Sequence, residues 1–332
     1  MWHVGIDLHR RTVVVAMVGD EGQSIRPRHF KCSDTAGILK FVCERRPFRA
    51  VIEASSSYRW LYDLLRPHGE VILAHPLRLR AIWSGRAKTD DLDSMELAKL
   101  LRADLIPTSY VPPAEYQALR DLTRARARLV RERTHTGNGL HALLARANVE
   151  SPFASTLGPR GRRWISSVEL GYGICSVRDE HVARLEYYEG AVESADEVLA
   201  GMAGRFPQIE ALTGIYGIGE YSALLIVAEL GEPGRFRCAE QVGAYAGLTS
   251  RVRQSGESEH RGAISKEGSP WLRWILVEAA PKVIRKDEFL RRFYERIRKR
   301  SGWRRARVAV ARKLAEICWK RLVRWHAEHP AA

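Results

Sequence analysis

The chain lacks the features of a secreted or membrane-bound protein. It contains no Cys-x-x-Cys pair, and its five cysteines are too far apart for a zinc signature or the disulfide framework of a small secreted domain. No apolar run approaches the roughly 18 residues of a membrane span, and no signal peptide is visible. We therefore expect reduced, mostly packed thiols in a cytoplasmic protein with no membrane partner.

Acidic residues are too few to balance the basic ones. The 332 residues include 54 Lys and Arg against 39 Asp and Glu, which gives a net charge of +15 and a pI near 9.9. Such an excess says nothing about the fold, but it favours a polyanionic partner and a salt-sensitive affinity. The length is sufficient for roughly two or three domains.

Four acidic residues occur in patterns that would bring them together. Asp7 in VGIDLH and Glu53 in VIEAS each follow a short apolar run, which is typical of a buried strand. Asp90 and Asp93 in KTDDLDS are three residues apart where a helical pattern begins, so both point to one face. Converging carboxylates repel one another unless a divalent cation neutralises them. Oxygen ligands favour Mg²⁺ or Mn²⁺.

This pattern indicates a metal-dependent phosphoryl-transfer centre that acts on nucleic acid, because two such ions can clamp the attacking and leaving oxygens of a phosphodiester. The pattern does not say whether one ion or two would bind. A purely structural interpretation competes with it, since a single Asp after a strand is commonly a turn residue or a helix cap. The complete order of strand–Asp, strand–Glu and helix–Asp-x-x-Asp is more restrictive than any one residue and favours the metal site.

Residues 1–113 alternate between strand and helix patterns, which predicts a mixed sheet covered by helices. Each predicted strand is a short apolar or β-branched run, and each predicted helix follows a capping residue or an apolar period. The predicted strands cover 2–6, 13–18, 28–31, 50–53 and 71–74, and the predicted helices cover 37–45, 58–65 and the segment after KTDD.

Residues 114–148 contain no strand signal, and a loop is predicted at 151–163. The helix predicted at 114–148 has an arginine-rich face, which is either a solvated surface or a phosphate-tracking one. Its candidate nucleic-acid-binding residues are Arg120, Arg124, Arg128 and Arg131. A second helix, at 182–202, has an apolar stripe and an acidic outer face. The two helices are predicted to pair, either as an antiparallel arm or across two subunits.

In residues 206–332, LTGIYGIG at 212–219 and a predicted helix at 221–230 together have the form of a helix–hairpin–helix. Gly217 and Gly219 would permit its turn and let backbone N–H groups hold a phosphate, although such glycine patterns also occur as plain turns. A loop of small and basic residues is predicted at 244–256, and helices are predicted at 271–283 and from 288 onward. Basic candidates in and after the loop are Arg251, Arg253, Arg261 and Lys266.

Several segments together resemble one family. GIDLH, IEAS and KTDDLDS are similar to the DEDD motif of transposases that have an RuvC-like, RNase H-type N-terminal domain. GIYGIGEYSALLIVAELGEPGRF, AYAGLTSRVRQSG, HRGAISKEGSPWLRWIL and ARVAVARKLAEICW resemble that family's C-terminal transposase domain. These enzymes are the bridge-RNA-guided recombinases of bacterial insertion sequences, related to Piv-type DNA invertases. The likeness covers essentially the whole chain, in the right order.

The resemblance implies an α/β plus α fold in three parts. These are an RNase H-fold catalytic domain at 1–113, a helical coiled-coil-like linker or assembly region at 114–205, and a mostly helical transposase domain at 206–332. The family's carboxylates map onto Asp7, Glu53, Asp90 and Asp93, and its catalytic serine onto Ser255 in RQSG. The spacing alone does not exclude the nearby Ser250 and Ser258. Ser94 replaces the family's usual alanine, a change between small residues.

The resemblance further implies cleavage and rejoining of target and donor DNA through a phosphoserine intermediate. A structured guide RNA would direct the reaction within a homodimer or homotetramer, in the cytoplasm of a bacterial or archaeal cell and at the nucleoid when active. Two other functions are compatible with the residues. One is a hydrolytic junction-resolving endonuclease that uses only the four carboxylates, and the other is a non-catalytic nucleic-acid-binding relative.

Overall fold

The computed structural model of the protein describes residues 1–82, 89–171, 173–255 and 258–330, without the side chains of residues 252–261. The chain divides into two compact units, Met1–Val111 and Pro112–Ala332. The division into three domains stays a prediction. Among the described residues, no helix combines the length and apolarity needed to cross a bilayer.

The first unit contains a five-stranded mixed sheet, as predicted. Its strands are β1 (Trp2–Leu8), β2 (Thr12–Gly19), β3 (Ser24–Lys31), β4 (Phe48–Glu53) and β5 (Glu70–Ala74). They lie in the order β3-β2-β1-β4-β5. β1, β2 and β3 form an antiparallel meander, whereas β4 pairs in parallel with β1 and β5 pairs in parallel with β4. The parallel pairs bring the carboxyl ends of β1 and β4 to the same edge of the sheet.

Four helices accompany this sheet: α1 (Thr35–Cys43), α2 (Arg59–Leu65), α3 (Pro76–Ile82) and α4 (Asp90–Arg102). Asp34 caps α1 by accepting a hydrogen bond from the Gly37 amide. The sequence predicts α1, α2 and α4 but not α3.

Alternation along the strands sorts their side chains onto the two faces of the sheet. Ile6 of β1 and Ile52 of β4 are fully buried in the cluster that includes residues of α1 and α2. Val51 of β4 is buried on the opposite face, where it packs with Leu97 and Leu101 of α4. Each residue that directly follows Ile6 or Ile52 therefore faces α4.

The second unit is mostly helical. Its helices are α5 (Ala114–Arg146), α6 (Pro159–Ser167), α7 (Ile174–Ala203), α8 (Glu210–Thr213), α9 (Glu220–Leu230), α10 (Ala239–Tyr245), α11 (Pro270–Val283) and α12 (Glu288–Glu328). α12 is interrupted at Gly302, whose φ of 81° lies outside the helical region. The main core lies among α5, α9, α10, α11 and α12.

The predicted antiparallel pairing of the two long helices is confirmed within the chain. Leu144, near the end of α5, shares a buried cluster with Val182, near the start of α7. Further along α7, Asp196 accepts two hydrogen bonds, of 2.8 and 2.9 Å, from the guanidinium of Arg126 early in α5. Late α5 therefore meets early α7, and the acidic and basic faces are joined by this ion pair.

Two predicted loops are wrong because they contain regular structure. The loop at 151–163 ends at Pro159, where α6 begins with a proline in the position that helices tolerate. The loop at 244–256 includes β6 (Ser250–Ser255), which pairs with β7 (Ser258–Ile264) as an antiparallel hairpin. The segment SRVRQS has a single apolar residue, so the apolar alternation that identifies a half-buried strand is absent from it.

The cysteines are all free, as their spacing predicts, and each is at least half-buried. Cys318 of α12 is fully buried, and that burial raises the pKa of its thiol to about 12. A thiol that stays protonated at neutral pH is a poor nucleophile and metal ligand, so Cys318 is a packing residue.

Candidate active site

Strand geometry places Asp7 and Glu53 side by side. In the parallel pair of β1 and β4, Ile6 is the partner of Ile52, and Asp7 and Glu53 are the next residues of their strands. Both follow an isoleucine that faces α1 and α2, so both carboxylates point toward the face covered by α4. Each is half-buried.

Helix α4 brings the second pair of acids to the same edge. Thr89 caps the helix by accepting a hydrogen bond from the Leu92 amide at 3.3 Å, so Asp90 and Asp93 lie in the first turn. Negative charge is favourable there because of the helix dipole. The axis of α4 passes very close to β1 at Gly5. A Cβ added to Gly5 would lie 2.0 Å from the carbonyl oxygen of Ser94.

Gly5→Ala is therefore expected to push α4 away from β1 and to lower the free energy of unfolding by about 1–3 kcal/mol or more, the usual cost of overpacking. The obstacle is the backbone of Ser94, which a side-chain rotation cannot move. Urea unfolding followed by circular dichroism measures the change.

Gly190→Ala in α7 is the matched control, since a Cβ there would meet nothing within 4 Å. It should raise helix stability by roughly 0.5–1 kcal/mol. Equal stability losses in the two variants would contradict the close approach at Gly5.

A histidine that sequence reasoning did not select joins the acids. Nε2 of His9 lies 2.9 Å from Oδ2 of Asp7 and 3.2 Å from Oδ1 of Asp90. One ligand atom from each of Asp7, His9 and Asp90 lies within 4.8 Å of the others. One sequence feature could have identified His9: it lies two residues after Asp7 in GIDLH, and side chains two residues apart in an extended segment point to the same face.

The electrostatics reflect this crowding. Burial raises the pKa of Asp7, and the Asp90 and Asp93 carboxylates raise it further, against the opposing effect of His9. Burial of the His9 imidazole by itself lowers the pKa of that ring, but Asp7 and Asp90 outweigh it and leave the pKa raised. The site therefore favours a positive charge between the carboxylates.

Of the four predicted acids, the structure thus brings Asp7 and Asp90 close together, whereas Glu53 and Asp93 lie outside the compact group. Within the described residues, the compact group is Asp7, His9 and Asp90. Asp93 is near enough to affect the charge on Asp7. Glu53 lies at the end of the neighbouring strand, outside that group.

These donors are of the kind that a divalent cation binds. Carboxylate oxygens are preferred by Mg²⁺ and Mn²⁺, and an imidazole nitrogen is also a common ligand of transition metals. Burial is the main cause of the raised pKa of Asp7, and the nearby Asp90 and Asp93 carboxylates add to it, so a cation beside Asp7 would offset both effects. The donor set therefore fits a divalent cation held by Asp7 and Asp90, with Asp93, Glu53 and His9 as further ligands or hydrogen-bond partners.

The predicted serine lies in the second unit. Ser255 is the last residue of β6, and its backbone partner across the hairpin is Ser258, the first residue of β7. The side chains of Ser255, Ser258, Arg253 and Arg261 lie outside the described part of the structure. Ser250 is exposed at the opposite end of β6, where its partner is Ile264.

Two of the predicted nucleic-acid-binding arginines bind protein groups instead. Arg120 is buried and donates hydrogen bonds to the carbonyl oxygens of Ala228 and Glu229, at 2.6 and 2.9 Å. Arg124 binds both carboxylate oxygens of Glu229, at 2.7 and 2.9 Å. Both guanidinium groups thus join α5 to α9, and the nucleic-acid surface proposed below does not include them.

Glu229→Ala is expected to destabilise the second unit by about 3–5 kcal/mol, the cost of removing one partner of a buried ion pair. Glu229 is fully buried and also accepts a hydrogen bond from the Ser269 hydroxyl at 2.8 Å. The substitution leaves Arg124 and Ser269 without their acceptor. Denaturant unfolding measures the loss.

Asp196→Ala provides the comparison, because the Arg126–Asp196 pair has the same two-bond geometry on a partly exposed carboxylate. Its loss should be at most about 1 kcal/mol. A loss from Glu229→Ala no larger than this would show that burial adds nothing to the Arg124–Glu229 pair.

The other predicted nucleic-acid residues with described side chains are accessible. Arg128 and Arg131 are exposed on α5, Arg251 is exposed on β6 and Lys266 is exposed after β7. Arg251 donates a hydrogen bond to the carbonyl oxygen of Ser265 at 3.0 Å.

The predicted glycine turn connects α8 to α9. Gly217 has a φ of 89°, and a Cβ there would lie 2.7 Å from Cβ of Lys282 in α11, so both backbone conformation and packing require glycine. Gly219 is exposed at the N-cap position of α9, where a Cβ would meet nothing within 4 Å. The backbone at the start of α9 is therefore open to a ligand.

Known proteins match both units. Residues 4–149 match a DEDD transposase model of the IS110 group, described as "Transposase". Residues 209–295 match the model described as "Transposase IS116/IS110/IS902 family". Both matched segments contain the residues that the sequence selected: Asp7, Glu53, Asp90 and Asp93 in the first, and Ser255 in the second.

Curated relatives are similar along almost the whole chain. The putative transposase y4qE of Sinorhizobium fredii is 28% identical over 98% of this chain and 80% of its own length. A probable family 20 transposase of Pseudomonas aeruginosa is 27% identical over 97% of this chain and 96% of its own. The transposase for insertion sequence element IS1111A of Coxiella burnetii is 28% identical, over 97% and 89% respectively. The chain therefore belongs to the IS110/IS116 family of DEDD transposases.

Proposed function

We propose that this protein is the transposase of an insertion sequence and that it cleaves and rejoins double-stranded target and donor DNA. The observation that carries the proposal is the convergence of Asp7, Asp90 and His9 at one edge of the sheet. The family match and the net charge of +15 support a polyanionic substrate.

The first unit is proposed to have an RNase H-like, RuvC-like fold. An antiparallel meander of three strands, followed by two parallel strands on the other side of β1, supports this assignment. The acids at the carboxyl ends of β1 and β4 and at the start of α4 occupy the positions expected for the catalytic centre of such a domain.

Asp7 and Asp90 are proposed to hold Mg²⁺ or Mn²⁺, with Glu53 and Asp93 completing the set of carboxylates. A bound divalent cation would neutralise the scissile phosphate and lower the pKa of an attacking hydroxyl. His9 orients the carboxylates of Asp7 and Asp90 through its contacts with both. The chain's own contribution is to fix these donors on rigid elements, because α4 is held against β1 at Gly5.

Ser255 is proposed as the nucleophile. Its Oγ would form a bond to the scissile phosphorus while the bond between that phosphorus and one deoxyribose oxygen breaks. The serine proton passes to a neighbouring base or to solvent, and the departing oxygen takes up a proton to become a hydroxyl. Attack by the hydroxyl of another strand reverses the step and restores a phosphodiester. The number of phosphodiester bonds is thus conserved, which hydrolysis does not achieve.

Sequence choice is proposed to depend on a structured guide RNA whose loops pair with target and donor DNA. The protein would then bind RNA and duplex mainly through backbone charge and shape. Arg128, Arg131, Arg251 and Lys266 are exposed and basic, which supports this role. The turn from α8 to α9 is proposed to act as a helix–hairpin–helix that binds DNA phosphate through the open backbone at Gly219.

The protein is proposed to act as a homodimer or homotetramer, with a composite site in which the carboxylates of one subunit meet the serine of another. The two sets of residues belong to different compact units of the chain, which is compatible with such an exchange.

The test is a denaturing gel of the full-length protein incubated with RNA transcribed from its flanking element, candidate target and donor DNA, and Mg²⁺. A covalent protein–DNA species and a joined DNA product are the expected results. Cleavage without any adduct would favour the hydrolytic endonuclease. Salt-sensitive binding without cleavage, indifferent to Mg²⁺, would favour a non-catalytic relative. Reactions that omit the RNA test its guiding role separately.

A further inference from the structure

A groove in the second unit lies between α5 and α11, and its lining includes none of the carboxylate or hairpin residues discussed above. Its volume of about 470 Å³ lies within the range of roughly 300–1,000 Å³ that is usual for ligand sites. The polar and aromatic residues that line it are Arg131, Thr134, His135 and Asn138 of α5 and Trp271, Trp274 and Glu278 of α11.

Two tryptophans form the apolar wall of the groove. The rings of Trp271 and Trp274 are in edge-to-face contact, with centroids 6.5 Å apart and planes at 87°. Both are only half-buried, although each also packs against the main core. The groove thus presents two fixed indole rings at right angles, a rigid platform for a flat ligand.

Two arginines give the groove a positive rim. The guanidinium carbons of Arg128 and Arg131 each lie 5.7 Å from the centroid of the Trp271 ring. Both side chains are exposed, and among the described residues neither forms an ion pair, in contrast to Arg124 one turn earlier. Glu278 is the acidic residue of the lining, and its carboxylate accepts a hydrogen bond from Arg307 at 3.1 Å.

We propose that this groove binds one unpaired nucleotide, with the base stacked against Trp271 and the phosphate bound by Arg128 and Arg131. Aromatic rings beside cations are the usual means of binding single-stranded nucleic acid, because every base has a face that can stack. A base within an intact duplex has both faces covered, so the occupant is a loop, a bulge or a flipped nucleotide. His135 and Asn138 offer hydrogen bonds to its base edge or sugar.

This inference rests on the proposed function only in taking nucleic acid as the partner. The unpaired nucleotide can come from a guide RNA or from a displaced DNA strand, and the two sources share the same stacking chemistry. Sugar identity therefore distinguishes them in the experiment.

The experiment measures fluorescence anisotropy of labelled single-stranded RNA, single-stranded DNA of the same sequence and the matched DNA duplex, each with the full-length protein. Trp271→Ala is expected to weaken single-strand binding by about 5- to 100-fold, and Trp271→Phe by less, with little change for the duplex. Loss confined to RNA would assign the groove to the guide, and loss confined to DNA to a displaced strand. Unchanged single-strand affinity in Trp271→Ala would overturn the proposal.

Because Trp271 also packs against the core, a second pair of variants changes only exposed residues of α5. Thr134→Glu places a negative charge in the groove lining, whereas Ala125→Glu places the same charge on α5 outside it. Thr134→Glu should weaken single-strand binding at least about 5-fold more than Ala125→Glu. Equal effects of the two variants would mean that the added negative charge weakens binding wherever it lies on α5. That result would refute a specific nucleotide site in the groove.

Failure of this proposal is separable from failure of the proposed function. If wild type forms the covalent DNA adduct but Trp271→Ala and Thr134→Glu keep full single-strand affinity, only the groove assignment is wrong. If wild type binds no nucleic acid of any kind, the transposase proposal fails as well.

Discussion

Asp90→Asn is expected to reduce strand cleavage by more than about 100-fold, whereas Asp91→Asn should cleave like wild type. The two aspartates are adjacent in KTDDLDS and both lie in the first turn of α4. Their side chains have different partners. Asp90 contacts His9 in the compact group with Asp7, whereas Asp91 binds Nε2 of His29 at 2.6 Å. Rates of DNA cleavage in Mg²⁺ by the two variants and by Asp7→Asn provide the comparison.

Thermal unfolding in Mn²⁺ or Mg²⁺ gives a second measurement that does not depend on catalysis. A cation at 100 times its Kd stabilises the folded state by about 2.7 kcal/mol, so the midpoint of wild type should rise with added cation. Asp7→Asn and Asp90→Asn should lose this rise, and Asp91→Asn should keep it.

Normal cleavage by Asp90→Asn would show that Asp90 does not belong to the site. Equal loss in Asp90→Asn and Asp91→Asn would mean that both substitutions act through the stability of α4.

The acidic edge of the sheet could be predicted because its signals are local. The apolar runs before Asp7 and Glu53 identify two strands, and Asp-x-x-Asp at a helix start identifies one helical face. The structure places these residues at the ends of β1 and β4 and in the first turn of α4. The parallel pairing of β1 with β4 and the contact of α4 at Gly5 depend on residues distant in sequence, so the register itself could not be predicted.

His9 was missed because a single histidine after a strand has no periodic partner. Its role depends on Asp90, which is 81 positions later in the chain and arrives through the packing of α4. The same limitation explains why the sequence places Arg120 and Arg124 among the nucleic-acid-binding residues. A helical period shows that α5 has an arginine-rich face, but only the packing of α9 reveals that part of this face is covered.

The hairpin of β6 and β7 illustrates a different limit. Its strands are rich in serine and arginine and lack the apolar alternation that identifies a strand. The motif RQSG is informative only through the family resemblance, and the hairpin contains three serines, Ser250, Ser255 and Ser258. An experiment on the serines themselves is therefore more informative than any argument from spacing.

Ser255→Ala is expected to abolish both the covalent protein–DNA species and the joined product. Alanine removes the only atom that would bond to phosphorus. One hydroxyl contributes little to a binding surface dominated by charge, so noncovalent DNA affinity should remain close to that of wild type. Denaturing gels measure the adduct, and anisotropy at matched salt concentration measures binding.

Ser250→Ala and Ser258→Ala are the matched controls, because both residues belong to the same hairpin and lose the same atom. Ser258 is the backbone partner of Ser255, whereas Ser250 lies at the other end of β6. An adduct that persists in Ser255→Ala and disappears in one control would transfer the nucleophile to that serine. Nicking that persists in Ser255→Ala, in a protein that never forms an adduct, would instead assign the chemistry to water. The carboxylates of Asp7 and Asp90 would then act without any serine.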